Sequence, residues 1–253
     1  MTATGNSSHN TSVDETEVRK FAALAERWWD FEGPFQPLHR LNPVRLRFIR
    51  DQIATQFDRD PLAPQPLAGL RLLDIGCGGG LLAEPLTRLG ATVVGIDATK
   101  KNIQIAALHA EQGRLSIDYR HTTAELMREA GECFDIVLNM EVVEHVADVG
   151  SFLKASSGLV SNEGIMIAAT LNRTAKSFAL AIVGAEYVLR WLPRGTHDWR
   201  RFVRPSELAA GLRHAGMTVG SFTGVTFNPL TGKWSLNGRD LSVNYMVVAV
   251  RNS

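Results

Sequence analysis

The spacing of apolar positions changes along this chain, and each change marks an element. Over 14–30, Val18, Phe21, Ala22, Ala25, Trp28 and Trp29 recur at helical intervals and predict a helix. Asp14 followed by Glu17 resembles a capping box in which Asp replaces the usual Ser or Thr. Gly33, Pro34 and Pro37 predict a loop over 31–41. Asn42-Pro43 then predicts the start of a second helix that runs to about Phe57, with proline at its first position. Three prolines make 58–69 a linker.

From Leu70 onward, short apolar runs alternate with helical periodicity. The pattern predicts strands at 70–75, 92–97, 115–120, 134–140 and 164–170. It predicts helices at 80–89, 99–112 and 147–160, and a weaker one near 123–130. A helix over 204–215 and strands near 217–227 and 243–250 complete the chain. Repeated β-α-β spacing implies a parallel sheet with helices on both faces and right-handed connections.

Composition narrows the picture. At 253 residues and 45% hydrophobic, residues 14–253 suit one α/β domain, with 14–57 as a helical lid and 172–202 as an insertion. Lys and Arg number 27 against 26 Asp and Glu, which argues against nucleic acid as a partner. The two cysteines have no metal-type spacing, so a reduced, intracellular protein is expected. Residues 1–13 are polar and read as a disordered tail, with neither secretory nor mitochondrial character. The longest apolar stretch, 178–192, is interrupted by Glu186 and Arg190 and is too short to span a bilayer.

The chemistry concentrates at Leu72-Leu73-Asp74-Ile75-Gly76-Cys77-Gly78-Gly79-Gly80. A strand, a glycine turn and a helix start present backbone N–H groups to a ligand. A dinucleotide fingerprint needs G-x-G-x-x-G, but here Gly80 follows Gly78 too soon and position 81 is Leu. Asp74 would repel a diphosphate and attract an ammonium or sulfonium. Asp97, 21 residues after Gly76, ends the second strand where a carboxylate can accept ribose hydroxyls. Ribose plus a positive group and no pyrophosphate points to S-adenosylmethionine; FAD or NAD is the competing ligand. Arg45, Arg47 and Arg50 suit a solvated helix face, or Arg45 reaches a ligand carboxylate.

After the fourth strand comes Asn139-Met140-Glu141-Val142-Val143-Glu144-His145-Val146. Glu141, Glu144 and His145 stand at i, i+3 and i+4, so on a helix they share one face. Such a set can hold a divalent cation such as Mg²⁺. Alternatively His145 is a lone general base, with an ordinary pKa near ~6.5. Either would favour the phenolate of a phenolic acceptor, whose pKa is near ~10. His197-Asp198 is an alternative pair, for which capping nearby backbone is the favoured role.

These segments together resemble the ubiquinone-biosynthesis O-methyltransferase family. The resemblance rests on Trp28-Trp29-Asp30, on Pro37-Leu38-His39-Arg40-Leu41-Asn42-Pro43-Val44-Arg45, on the glycine turn and on Met140-Glu141-Val142-Val143-Glu144-His145-Val146. It continues in Thr170-Leu171-Asn172-Arg173, Gly195-Thr196-His197-Asp198-Trp199, Asn228-Pro229-Leu230 and Val243-Asn244-Tyr245-Met246, and covers nearly everything after residue 17. It implies the class I S-adenosylmethionine-dependent methyltransferase (Rossmann-like) fold, with seven strands of which the last is antiparallel. It implies O-methylation of two polyprenylated catechols, a 2-polyprenyl-6-hydroxyphenol and 3-demethylubiquinol. Carried over by motif, Arg45, Gly76, Asp97 and Met140 are expected cofactor contacts, beside Asp74 and Gly78 from the turn itself. Glu141, Glu144 and His145 match the family's proposed metal cluster. The missing transit peptide resembles bacterial members.

A soluble small phenol, a dinucleotide-dependent oxidoreductase and a binding-only relative are the rival readings. The insertion carries Phe178, Leu180, Ile182, Val183, Tyr187, Val188, Leu189, Trp191 and Leu192 amid six basic residues. That composition fits core packing or an anionic membrane surface, and a bilayer-resident acceptor favours the membrane. The expected location is the bacterial cytoplasm, peripheral to the inner membrane, and other enzymes of the ubiquinone pathway are candidate partners.

Overall fold

A computed structural model describes residues 12–180, 198–228 and 231–251. The N-terminal part holds α1 (Glu15–Leu24), a 3₁₀ turn at Ala25–Arg27 and α2 (Gln36–Gln56). The α/β part runs β1 (Arg71–Ile75), α3 (Ala83–Arg88), β2 (Thr92–Asp97), α4 (Lys100–Gln112), β3 (Asp118–His121), α5 (Ala124–Glu129) and β4 (Phe134–Met140). It continues with α6 (Val149–Gly158), β5 (Val160–Leu171), α7 (Ala175–Ser177), α8 (Pro205–His214), β6 (Thr218–Asn228), β7 (Lys233–Asn237) and β8 (Asn244–Val250).

One sheet has the order β3-β2-β1-β4-β5-β8-β6-β7. β1 to β5 pair parallel, while β8 lies antiparallel to both β5 and β6. The strand order reverses beside β1, between β2 and β4, which puts a crevice at the carboxyl ends of these strands. Both faces are covered. Leu73, Val137, Met166 and Val247 pack with α5, α6 and α8 on one side. Leu72, Ile136, Leu138 and Ile167 pack with α2 and α3 on the other. Alternation along each strand sends neighbours into opposite layers, so near-continuous apolar runs are the expected signature.

The fold expected from the sequence is present, with eight strands instead of seven. The added β7 pairs only with the edge of β6. Its Trp234 and Leu236 alternate with exposed polar residues, so little apolar signal marks it. Two N-terminal expectations change. The first helix ends at Leu24 and tightens into the 3₁₀ turn. The expected loop over 31–41 is helical from Gln36, with Pro37 in the first turn and Pro43 inside the helix. Buried Leu41, Phe48, Ile49 and Ile53 anchor α2 along a face that outweighs the hydrogen bond lost at Pro43. Asp14 does cap α1, accepting from the backbone N of Thr16 and Glu17. The Glu17 side chain does not return to the cap; it reaches His145. Residues 1–11 of the expected tail and most of the apolar insertion, 181–197, lie outside the described residues, whereas Ser12, at the end of that tail, is buried and bonded to Glu125. Among the described residues no helix is long and apolar enough to cross a membrane.

Candidate functional site

A cavity of about 700 Å³ opens at the carboxyl ends of β1, β2 and β4. Every expected site residue lines it: Arg45, Asp74, Gly76, Gly78, Asp97, Met140, Glu141, Glu144 and His145.

One end of the cavity is charged. Gly76 and Gly78 adopt φ of +67° and +54°, in the region that favours glycine. A Cβ on Gly76 would meet Val142 at 2.5 Å, and one on Gly78 would meet the Trp28 ring at 2.4 Å. The turn is therefore held between the β4 exit and the N-terminal lid. Asp97 accepts from the backbone N of Gly78 at 3.0 Å and of Thr99 at 2.7 Å. Asn102 Nδ2 donates to both Asp97 oxygens, and its Oδ1 accepts from Trp28 Nε1 at 2.9 Å. Burial nonetheless pushes the Asp97 carboxyl above its ordinary range, against those donors. Carboxylate oxygens with lone pairs to spare there can accept ribose hydroxyls.

Arg45 and Asp74 are 4% and 2% exposed, which settles Arg45 as an inward residue and not part of a solvated face. Arg47, by contrast, is exposed. Arg45 Nη2 donates to Asn42 Oδ1 at 2.8 Å, but its Nε has no partner, and neither does Asp74 Oδ2. Such orphaned buried groups are costly and point to a missing partner. An amino-acid zwitterion supplies both, a carboxylate for Arg45 and an ammonium for Asp74. Burial raises the Asp74 carboxyl to about 7, opposed by Arg45 and reinforced by Asp97. The residues present fit an S-adenosylmethionine-shaped ligand.

The other end is mostly apolar. Phe21, Leu38, Phe152, Leu171, Leu180 and Val225 contribute to it. Glu141, Glu144 and His145 line the same cavity, and here the structure corrects the sequence. The segment is not an α-helix. Glu141 leaves β4 with φ +59°, and only Val143–His145 form a 3₁₀ turn. A non-glycine residue in that region is strained and commonly marks a functional site. The Glu141 and Glu144 carboxyls approach each other, and His145 alone turns elsewhere. Glu144 is buried and accepts from Thr170 Oγ1 at 2.7 Å. Burial first, and the Glu141 charge second, push its carboxyl well above the usual range. His145 turns to the lid, where Glu17 Oε2 takes its Nδ1 at 2.8 Å. Among the described residues no group of three His, Cys, Asp or Glu is placed to hold a metal ion. The expected Glu141, Glu144 and His145 metal set is therefore not assembled as arranged, because the imidazole faces Glu17 and not the two carboxyls.

Sequence reasoning missed Glu17, Asn102, Thr170 and Arg201. Glu17, Thr170 and Arg201 reach the site through contacts across the chain, and Asn102 through the first turn of α4 beside Asp97. Trp28 both packs the lid on Gly78 and lines the cavity, while Trp29 stacks on His109 at 3.5 Å. Asp198 caps the 3₁₀ turn Trp199–Arg201 through the Arg200 backbone N, the structural role expected of it; His197 lies outside the described residues.

Comparison with known proteins agrees with this geometry. Residues 73–168 match a methyltransferase domain family. A solved plantazolicin methyltransferase with bound S-adenosylhomocysteine superposes with a TM-score of 0.62 at 17% identity, over 94% of this chain and 97% of that one. A magnesium protoporphyrin IX methyltransferase from Synechocystis with bound S-adenosylmethionine gives 0.59 at 16% identity, over 96% and 100%. At such identities the likeness speaks for the fold alone. The ubiquinone biosynthesis O-methyltransferase of Cereibacter sphaeroides is 58% identical over 96% of this chain and 99% of its own length. That of Dinoroseobacter shibae is 59% identical over 95% and 97%. With identity at this level over nearly the whole chain, the protein belongs to the ubiquinone biosynthesis O-methyltransferase family.

Proposed function

We propose that the protein is an S-adenosylmethionine-dependent O-methyltransferase of ubiquinone biosynthesis, acting on polyprenylated catechols such as 2-polyprenyl-6-hydroxyphenol and 3-demethylubiquinol. The observation that carries this is one cavity with a charged, partner-seeking end at Arg45 and Asp74 and an apolar end beyond His145. Bound S-adenosylmethionine supplies a methyl group already activated on a sulfonium. Arg45 and Asp74 hold the amino-acid end, and Asp97 holds the ribose. Gly76 and Gly78 allow close backbone approach, and Met140 packs at the strand end nearby. Trp28 closes over the turn and helps exclude water. His145 Nε2 would take the proton of the acceptor hydroxyl, so that its oxygen could accept the methyl group as the methyl–sulfur bond breaks and S-adenosylhomocysteine leaves. Glu141 and Glu144 line the same cavity and complete the catalytic set.

Calorimetry with S-adenosylhomocysteine and with NAD tests the donor. Micromolar binding of the first alone is expected, and tight NAD binding alone would reject the reading in favour of an oxidoreductase. Turnover of a short-prenyl catechol distinguishes an enzyme from a binding-only relative, and preference for an unprenylated phenol would redirect the substrate class. The divalent cation implied by the family resemblance enters no step here. Activity after EDTA and Mg²⁺ add-back decides it: loss and recovery would mean that Glu141, Glu144 and His145 regroup around a metal.

The polyprenyl chain keeps the acceptor in the bilayer, so we also propose peripheral attachment to an anionic membrane through the insertion. Phe178 and Leu180 at its start are 45% and 53% exposed, close to Lys176. Flotation with anionic liposomes is expected to carry the protein, and deletion of 175–192 to abolish this; an intact protein that stays at the bottom refutes it.

A further inference from the structure

Glu17 lies in the first turn of α1, 128 positions from His145 in the chain, yet the two side chains meet at 2.8 Å. A first-turn glutamate ordinarily faces water, where the helix dipole favours it. This one is 11% exposed and held from several sides. Lys20 Nζ lies 2.8 Å from its Oε1, and Arg201 Nη1 lies 3.5 Å from the same oxygen. With Lys20, Arg201 and the imidazole all facing it, the Glu17 carboxylate accepts and does not donate. His145 Nδ1 therefore carries the hydrogen towards Glu17, and in the neutral ring Nε2 carries the lone pair. Phe21, one turn along α1, meets the imidazole edge-on with centroids 5.1 Å apart.

The segment before α1 is latched across the crevice. Ser12 donates from its backbone N and Oγ to Glu125, at 3.2 and 2.5 Å. Ala147 N donates to Ser12 O at 2.7 Å, and Arg201 Nη2 pairs with Asp14 at 2.7 Å. These contacts join α1 to both walls of the cavity and set the position from which Glu17 reaches the ring.

We propose that Glu17 is the positioning residue of His145: it selects the Nδ1–H tautomer and aims Nε2 at the acceptor hydroxyl. The proposal rests on the reading of His145 as the group that takes the acceptor proton. It makes the N-terminal helix part of the acceptor site, because the base is correctly oriented only while α1 is docked. Carboxylates that orient an imidazole through its second nitrogen commonly matter by about ten- to a hundredfold.

The test uses the full chain with Glu17→Ala, Glu17→Gln and Glu17→Asp, each also combined with His145→Ala. Glu17→Ala is expected to lower kcat roughly ten- to a hundredfold with the methyl-donor KM within about twofold. Glu17→Asp should recover part of the loss, and the ¹⁵N shifts of the His145 ring should leave the Nδ1–H pattern in Glu17→Ala. Adding Glu17→Ala to His145→Ala should cost nothing further. If Glu17→Ala fails to fold by circular dichroism, the near-isosteric Glu17→Gln carries the same comparisons. If His145→Ala keeps its kcat, both the base reading and this proposal fall. If His145→Ala loses activity while the Glu17 variants keep theirs, or if the two losses multiply, the positioning proposal alone falls.

Discussion

The two ends of the cavity are built in opposite ways. At the donor end, Asp74, Gly76, Gly78 and Asp97 sit at the tips of adjacent strands β1 and β2, paired in register from Arg71↔Thr92 to Ile75↔Ile96. Their polar groups are buried, mutually bonded and partly unsatisfied, as in a preformed receptor. At the acceptor end, Glu17, His145, Leu180 and Val225 come from four separate parts of the chain. The lesson is that one ligand is recognised by backbone geometry the sheet supplies, and the other by whatever segments the family has folded over the sheet.

If this division is correct, the two ends fail separately when mutated. The largest effect is expected from His145→Ala, which should lower kcat by about 10²- to 10⁴-fold while S-adenosylhomocysteine affinity, measured by calorimetry, stays near its starting value. A parallel loss of affinity would break the division. Asp97→Ala should do the converse, raising the donor KM by roughly ten- to a hundredfold with kcat nearly kept, because charged hydrogen bonds of this kind contribute about 1.5–3 kcal/mol. A smaller effect should appear in the pH dependence of donor binding. With its carboxyl raised to about 7 in the ligand-free site, Asp74 holds a proton below that pH. A cationic ligand needs the carboxylate, so affinity should fall as pH drops below 7 and binding should release protons. Titrations in two buffers of different ionisation enthalpy measure that release, and Asp74→Asn should remove it. The smallest effect concerns stability at the acceptor end. Glu17 titrates at about 2 in the folded chain against 4.5 for the free side chain. A depressed carboxyl stabilises the fold above its unfolded value, and this contribution is lost as pH falls from 4.5 towards 2. Acid denaturation of Glu17→Gln should therefore be less steep in that window, and identical curves would remove Glu17 from the latch.

Not all of the site was equally legible. Asp74, the glycines and Asp97 were readable because strand, turn and helix are contiguous and their chemistry is local. Arg45 was ambiguous by spacing, since a helical arginine reads the same whether it faces water or the interior. Glu141, Glu144 and His145 were found, but their helical grouping was not, because the left-handed Glu141 breaks a periodicity that composition alone cannot reveal. β7 was missed as an exposed edge, and the start of α2 was hidden by prolines whose effect Leu41, Phe48 and Ile49 override.

Alternating apolar runs and their turns were enough to predict the parallel sheet and its crevice, because repeated β-α-β units of contiguous elements allow few other arrangements. The inward turn of Arg45, the turning of His145 away from Glu141 and Glu144, and the meeting of Glu17 with His145 were decided by tertiary packing. Each of these depends on segments tens to more than a hundred residues apart, and no local periodicity or propensity encodes which of them meet.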